Sequence, residues 1–430
     1  MAEKLEDLHL ADLHARAADL EIPRFRLLRR DRLVAEIQER GGEPADAAAD
    51  EARPAEKPTA PASEEKRDRE RLEEAETDDV AGVLEVTPQR YGFLRFGGLG
   101  AQADDVYVSA SQIRRCELRS GDQVTGPARA PRRGERHRAL VHVDRVNGSE
   151  PPIGERPAFE TLTPVLPKRR IAMGEASDVL TRAIDLLTPL ALGQRVLVMA
   201  APRSGRTTLL RSIASAIAGQ EGLEMIVLLI DERPEEATAW REALPESEVV
   251  SATSEIPPED QVRVAELALE RGRRLAEQGR DVILIVDSLS RLAVAAGSAA
   301  GRGAASDVTD VKALFGSGRE LAEEGAGSLT VVATVVNGAE DDGAAERAVV
   351  TTESSLITLD AELAAAGVFP ALRVGECRVS NEDELREADE LAAIRRLRSL
   401  LTDLDPVEAA KLLRERIEGS ASNAELLASQ

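Results

Sequence analysis

The chain has 430 residues, enough for two or three domains that each bury a core of their own. Its net charge of −23 argues against nucleic-acid binding by the chain as a whole, because phosphate contacts depend on clustered cations. Two cysteines, Cys116 and Cys377, are too few for a disulfide framework or a zinc site. No apolar run is long enough to span a bilayer, and the N-terminus MAEKLEDLHL is charged, which predicts a cytoplasmic protein without a membrane segment.

The charge is unevenly distributed along the chain. Much of the acid lies between Glu43 and Asp79, whereas residues 114–138 carry a local excess of arginine. The arginines of this stretch are Arg114, Arg115, Arg119, Arg129, Arg132, Arg133, Arg136 and Arg138. A basic segment within a chain of negative net charge is compatible with RNA binding.

Two segments of different composition come first. Residues 1–42 carry leucines at helical spacing and end in Gly41-Gly42, which predicts a small helical module. Residues 43–79 consist mainly of Ala, Pro, Glu and Asp. Such a composition does not repay the entropy of folding, so we expect a disordered acidic linker.

Residues 80–150 contain short alternating segments, among them GVLEV, YGFLRF and DVYVS, which turn signals separate at roughly even spacing. This pattern predicts a small β-barrel. The chain has nine aromatic residues, and Tyr91, Phe93, Phe96 and Tyr107 crowd into this stretch. Because Tyr91 and Phe93 are two residues apart on a strand, their rings face the same way, and we favour base stacking over the alternative that they fill the barrel core.

From residue 160 to residue 430, apolar strands alternate with amphipathic helices, as in RVLVMAA, MIVLLIDE, DVILIVDS and SLTVVATVV. This order predicts an α/β nucleotide-binding core with a parallel sheet.

The strand RVLVMAA leads into a loop and then an apolar helix, the order of a phosphate-binding P-loop. The residues of this candidate site are Ala201, Pro202, Arg203, Ser204, Gly205, Arg206, Thr207 and Thr208. The usual lysine is replaced by Arg206, which can still neutralise phosphate but is bulkier. Thr207 supplies the hydroxyl expected on magnesium.

Two further strands end in carboxylates, Glu232 and Asp287. Ligands of such sheets bind at the carboxyl ends of the strands, where a base for water and a magnesium anchor belong. The alternative is that each acid caps the following helix; together with the P-loop, the functional interpretation is favoured.

Several motifs occur in the order typical of one family: YGFLR, DDVYVSASQIRR, GERHRAL, FETLTPVLP and LLIDERPEE. On these, the chain resembles the bacterial transcription termination factor Rho family along nearly its whole length. The resemblance implies an α/β RecA-like P-loop core, preceded by an OB or cold-shock-like barrel and an N-terminal helical module. It also implies a hexameric ring that binds nascent single-stranded RNA, hydrolyses ATP with Mg²⁺ to move RNA through its pore, and dislodges RNA polymerase.

The resemblance also implies roles for individual residues. Those that match the family's RNA site are Tyr91, Phe93, Arg95, Asp105, Tyr107, Glu135 and His137. Glu232 matches the catalytic glutamate, Asp287 the aspartate that holds magnesium with Thr207, and Phe369 an aromatic residue that packs on adenine. Arg206 matches the phosphate-loop cation and Arg378 is a displaced candidate for the arginine finger.

The pore loops depart from the family. The first reads SAAGRGAASDVTDVKAL, with Arg302 and Lys312 as its cations, and the second, residues 350–354, has lost its lysine and gained Glu353. Two functions therefore stay open: an RNA-dependent ATPase and helicase that terminates transcription, or a catalytically weakened relative that binds RNA without efficient hydrolysis. A third, an ATPase acting on protein or membrane partners, leaves the aromatic barrel unexplained.

Overall fold

A computed structural model describes residues 77–151, 156–173, 178–301, 307–337 and 343–429. All of them belong to one compact unit, Asp68–Gln430. The helical module predicted for residues 1–42 lies outside the described residues, as does the linker predicted for 43–79 except for its end. Residues 77–79 were assigned wrongly to the linker, because they pair with Pro127–Arg129 as the start of the first strand. Backbone pairing decides their structure despite their polar composition.

The N-terminal part is a closed five-stranded barrel with one appended strand. Its strands are β1 (Thr77–Val86), β2 (Gly92–Arg95), β3 (Val106–Val108), β4 (Gln123–Arg129), β5 (Arg138–Leu140) and β6 (Arg145–Val146). The order β1-β2-β3-β5-β4 closes through pairing of β1 with β4, and β6 pairs with β4. A short helix, α1 (Ala110–Arg115), begins at a capping box in which Ser109 and Gln112 exchange hydrogen bonds. The predicted barrel is confirmed.

The buried core of the barrel is almost entirely aliphatic, and Phe96 packs against it instead of lining the outer surface with Tyr91 and Phe93. The core contains Leu84, Leu94, Val106, Val108, Cys116, Leu118, Val124, Ala128, Leu140 and Val146. Alternate residues of β2 therefore point in opposite directions: Leu94 points into the core, whereas Phe93 does not belong to it.

The rest of the unit is a sheet flanked by helices. Its strands are β7 (Pro164–Val165), β8 (Arg195–Ala200), β9 (Leu223–Glu232), β10 (Glu248–Thr253), β11 (Asp281–Asp287), β12 (Arg319–Leu321), β13 (Ser328–Val336), β14 (Ser355–Leu359) and β15 (Arg378–Val379). The order is β10-β9-β11-β13-β8-β14-β15, and all these pairs are parallel except β14 with β15. Parallel strands from β10 to β14 place the ends of β8, β9 and β11 along one edge, as the sequence predicted.

The helices pack on both faces of this sheet, in two large apolar clusters. They are α2 (Val179–Leu187), α3 (Arg206–Ile217), α4 (Pro234–Ala243), α5 (Pro258–Glu277), α6 (Leu289–Ala299), α7 (Thr309–Gly316), α8 (Ala344–Val349), α9 (Ala361–Ala365), α10 (Glu382–Leu385), α11 (Ala388–Thr402), α12 (Pro406–Glu418) and α13 (Asn423–Ala428). Within the described residues, no helix is long and apolar enough to cross a membrane.

The barrel packs directly on helix α5. Gly121, with φ of +85°, approaches that helix so closely that a Cβ atom would lie 2.4 Å from the carbonyl carbon of Glu270. Arg119 donates to Glu277 at 2.7 Å beside this contact. From the loop after β2, Leu99 inserts into the apolar cluster of the α/β core and is 4% exposed. The two parts therefore share a packed interface.

Candidate functional site

Four rings form a connected group on the outside of the barrel core. Tyr91 lies 5.8 Å from Phe93 and 5.6 Å from Tyr107, measured between ring centroids. Phe93 also contacts His137, with centroids 5.1 Å apart. The three aromatic side chains and His137 are all partly exposed. The alternative that Tyr91 and Phe93 fill the barrel core is therefore wrong, because aliphatic side chains fill it.

These rings line a groove of about 1030 Å³. Its lining includes four arginines, Arg115, Arg129, Arg132 and Arg136. Partly exposed rings can stack on bases while guanidinium groups contact phosphates. The Nδ1 atom of His137 is buried without a hydrogen-bond partner among the described residues. The groove has the chemistry of a single-stranded nucleic-acid site.

Arg95 and Asp105 lie beneath this groove and do not line it. Arg95 donates from Nε to Glu85 at 2.7 Å and forms an ion pair with Asp105, and both residues are buried. The Arg95 guanidinium lies 5.2 Å from the centre of the Phe93 ring. Since its donors are used inside the barrel, Arg95 is placed to hold Phe93 in position, not to contact phosphate.

Glu135 fixes one of the groove arginines. Its two carboxylate oxygens accept from Arg129 at 2.7 and 2.9 Å, and one also accepts from the backbone N–H of Arg132 at 2.8 Å. These hydrogen bonds, Arg129 first, lower the pKa of Glu135 to about 2. Glu135 therefore stays ionised and holds the 129–135 segment in a defined shape.

The predicted phosphate loop connects β8 to α3. Ser204 donates from Oγ to the carbonyl of Ala201 at 2.7 Å, while Arg203 and Gly205 have positive φ angles of 63° and 96°. No side chain caps the N-terminus of α3 at Gly205. The backbone N–H groups of the first turn therefore have no partner within the helix, and together with the helix dipole they suit a phosphate group. The loop fits a nucleotide.

A β-bulge directs Glu232 toward this loop. In the register with β10, Ala252 pairs with Ile230 and Thr253 pairs with Glu232, so Asp231 is the extra residue. Asp231 has a φ of 52°. Bulges near functional sites redirect a side chain. Glu232 ends β9 and Asp287 ends the neighbouring strand β11, which places both carboxylates at the same edge as the loop.

Arg206 bridges the two carboxylates. Its Nε atom lies 3.0 Å from Oδ1 of Asp287, and its Nη2 atom lies 3.1 Å from Oε1 of Glu232. Arg291 forms a further ion pair with Glu232, and Thr334 donates to Asp287 at 3.0 Å. Burial first, and then the charge of Asp287, raise the pKa of Glu232 above its usual range despite the two arginines.

The other predicted nucleotide residues are accessible. Pro202, Arg203, Gly205 and Thr208 are exposed, Thr207 is partly exposed, and Phe369 is 43% exposed. After Phe369, the chain returns to the sheet at Leu372, which bridges to Leu359 opposite Ala200 at the end of β8. Phe369 thus belongs to the edge of the sheet that carries the phosphate loop.

The arrangement does not fit a magnesium ion at Thr207 and Asp287. One oxygen of Asp287 is occupied by Arg206 and Thr334, and Asp287 is 1% exposed. A magnesium ion requires near-ideal octahedral geometry with oxygen ligands. The guanidinium group of Arg206, which pairs with Asp287, occupies the position that such an ion would take.

Arg378 is not brought to Glu232 and Asp287. It lies in β15, four positions from β11 in the sheet order, and donates to Glu353 at 2.6 Å. Lys312 is exposed in α7, whereas Arg302 lies outside the described residues.

Comparison with known proteins gives the family. Residues 80–152 match the Rho termination factor RNA-binding domain, and residues 181–378 match the nucleotide-binding domain of the ATP synthase alpha/beta family. Transcription termination factor Rho of Chromobacterium violaceum is 40% identical over 361 residues, covering 80% of this chain and 85% of that protein. The chain belongs to the Rho family. Rho of Aquifex aeolicus is 37% identical over 374 residues, which are 83% of this chain and 85% of that protein.

The Rho family also contains longer members. Rho of Streptomyces lividans is 39% identical over 364 residues, and the match covers 81% of this chain and 51% of that protein. The chain therefore spans about half the length of this relative. A solved ATPase from the type III secretion system of pathogenic bacteria shares the fold, with a TM-score of 0.51 at 23% identity over 67% of this chain and 93% of that one. The predicted family and fold class are confirmed.

Several residues that support the groove and the nucleotide site were not identified from the sequence. Thr334 lies in the middle of an apolar strand, and its hydrogen bond to Asp287 depends on the neighbouring strand β11. Gln112 is a largely buried part of the groove lining and donates to the carbonyls of Leu140 and Val141. The sequence marked both Arg129 and Glu135, but not the hydrogen bonds that join them.

Proposed function

We propose that this chain is an RNA-dependent ATPase that acts as a translocase in transcription termination. The observation that carries the proposal is the groove in which Tyr91, Phe93, Tyr107 and His137 lie together outside the barrel core. Such rings lie outside the barrel core and suit the stacking of unpaired bases. Membership of the Rho family supports the same function.

The nucleotide would bind at the end of β8. Backbone N–H groups of the loop and of the first turn of α3, with Arg203, would hold the phosphates. Phe369 would pack against the base. Glu232, which the bulge at Asp231 directs toward the loop, would orient the attacking water and accept its proton.

Barrel and ATPase core would communicate through their shared packing. Helix α5 carries Glu277, which Arg119 of the barrel contacts, and Leu99 reaches the apolar cluster under β9 and β10. Binding of RNA in the groove would thereby shift the conformation of the α/β core, in which β9 ends at Glu232. This path supports hydrolysis that depends on RNA.

The remaining partners follow from the family. We propose a homo-oligomeric, hexameric ring that acts in the cytoplasm on nascent RNA and on the RNA polymerase elongation complex. Mg²⁺ usually accompanies ATP in such sites, and to reach Asp287 it would have to displace Arg206.

The proposal is tested by ATP hydrolysis with and without a cytosine-rich single-stranded RNA. The unmodified chain is compared with Glu232→Gln and with the double variant Tyr91→Ala, Phe93→Ala. We expect RNA to stimulate turnover, Glu232→Gln to abolish it while binding nucleotide, and the double variant to lose RNA affinity by about 1 to 3 kcal/mol for each base that no longer stacks.

Phe369→Ala is the matched control for the double variant. It removes an exposed aromatic ring outside the groove, so it should weaken nucleotide binding and leave RNA affinity unchanged. Unaltered RNA affinity in the double variant would refute the groove assignment. RNA binding without any turnover would instead establish the catalytically weakened alternative.

A further inference from the structure

The ion pairs at the end of β8 place Arg206 where a divalent cation is expected. A guanidinium group carries five donors in a planar fork and is always charged, so one arginine can hold two carboxylates at once. Arg206 does so, with Nε on Asp287 at 3.0 Å and Nη2 on Glu232 at 3.1 Å. A lysine ammonium is a single point charge and does not offer this fixed fork.

The charges in this cluster already balance. Two carboxylates, Glu232 and Asp287, face two guanidinium groups, Arg206 and Arg291. Asp287 is 1% exposed and the Arg206 side chain 16% exposed. A buried carboxylate left without a cation is unfavourable, and here the protein supplies the cation itself.

A divalent ion entering this cluster must therefore displace Arg206 from Asp287. The ion would gain one carboxylate oxygen, while Arg206 would lose its buried partner and Glu232 would lose one of its two cations. Phosphate binding has no such conflict, because Arg203 is exposed and the backbone N–H groups of the first turn of α3 are not capped by a side chain.

We infer that Arg206 serves as a built-in cation that competes with Mg²⁺ for Asp287, so that this chain binds nucleotide almost independently of Mg²⁺. This rests on the proposed nucleotide site and specifies its cation. Replacement of Arg206 by lysine would free Asp287 and make nucleotide binding depend on the ion.

The test is the affinity for a fluorescent ATP analogue, measured in EDTA and in excess MgCl₂, for the full chain and for Arg206→Lys. We expect less than a threefold difference between the two conditions for the unmodified chain. For Arg206→Lys we expect binding at least tenfold tighter in MgCl₂. Circular dichroism and thermal melting would show that both proteins are folded.

A second measurement avoids the nucleotide. Binding of Mn²⁺ alone, followed by its electron paramagnetic resonance signal, should increase in Arg206→Ala, which leaves Glu232 and Asp287 without their shared cation. The increase should disappear in Arg206→Ala, Asp287→Asn.

The outcomes separate the two proposals. Nucleotide binding by the unmodified chain that weakens tenfold or more in EDTA would overturn the competition and leave the proposed ATPase intact. The absence of nucleotide binding under both conditions would overturn the nucleotide site and this inference together. Equal Mn²⁺ binding by all proteins would also overturn the competition.

Discussion

Arg378 donates from Nη2 to Oε1 of Glu353 at 2.6 Å, and this pair joins β15 to the loop that precedes β14. The Glu353 side chain is 6% exposed, whereas that of Arg378 is 59% exposed. Both residues are departures from the Rho pattern, and the structure brings them together although they are 25 positions apart in the chain. In this chain, Arg378 is the cation that pairs with Glu353.

Replacement of Arg378 by alanine should therefore lower the kcat of RNA-stimulated ATP hydrolysis less than about tenfold. Loss of an arginine finger would instead lower the rate by a factor of about 10³ to 10⁵. Glu353→Ala should have a similar effect, and the double variant should be no worse than either single one, since the same contact is lost in all three. A loss of about a thousandfold in Arg378→Ala alone, with Glu353→Ala still active, would identify Arg378 as the finger.

The pH dependence of hydrolysis should report Glu232. Burial raises its pKa, and only the ionised form accepts a proton from water, so kcat should fall as the pH drops through this raised value. Arg291 opposes the shift, so Arg291→Ala should raise the pKa further and move the acid limb to higher pH. The measurement is kcat against pH for both proteins; coincident profiles would exclude Glu232 as the base.

Glu135 should titrate well below the ordinary range of a glutamate. Its pKa of about 2 lies below the unfolded value, so its contribution to stability is present above the unfolded pKa and is lost as the pH falls toward 2. The carboxyl resonance of Glu135, followed by NMR, gives this value directly. In Arg129→Ala the pKa should return toward the ordinary range, and an unchanged value would mean that another group holds the carboxylate.

The sequence predicts those features that depend on period and position along the chain. Alternation along the extended chain places Phe93 of β2 and Tyr91, which directly precedes that strand, on one side, because successive residues of a strand face opposite ways. Strand-end positions bring Glu232 and Asp287 to one edge, because β9 and β11 are parallel neighbours. Both predictions use geometry that holds for any strand.

Side-chain partners from distant segments were not predictable in this way. Arg95 looks like a phosphate contact in the sequence, but Glu85 and Asp105 approach it only when three strands pair. The bridge formed by Arg206 requires the ends of three strands and the bulge at Asp231. Such pairs depend on tertiary register, which the local pattern does not contain.

Substitution of Leu99 tests how much its packing between the barrel and the α/β core contributes to stability. It follows β2, has a φ of 64°, and packs in the cluster with Val250 and Val264. Leu99→Ala should lower the free energy of unfolding by about 2 to 5 kcal/mol, the range for a buried leucine, measured by urea denaturation. Leu166→Ala, at a side chain 58% exposed, is the control and should change stability by less than about 0.5 kcal/mol.

The same variant separates binding from coupling. Leu99 does not line the groove, so RNA affinity should be unchanged in Leu99→Ala. The stimulation of hydrolysis by RNA should fall, because the packing of the barrel against β9 and β10 is weakened. RNA stimulation equal to that of the unmodified chain, in a variant that is measurably destabilised, would show that Leu99 contributes to packing alone and that the signal reaches Glu232 through helix α5.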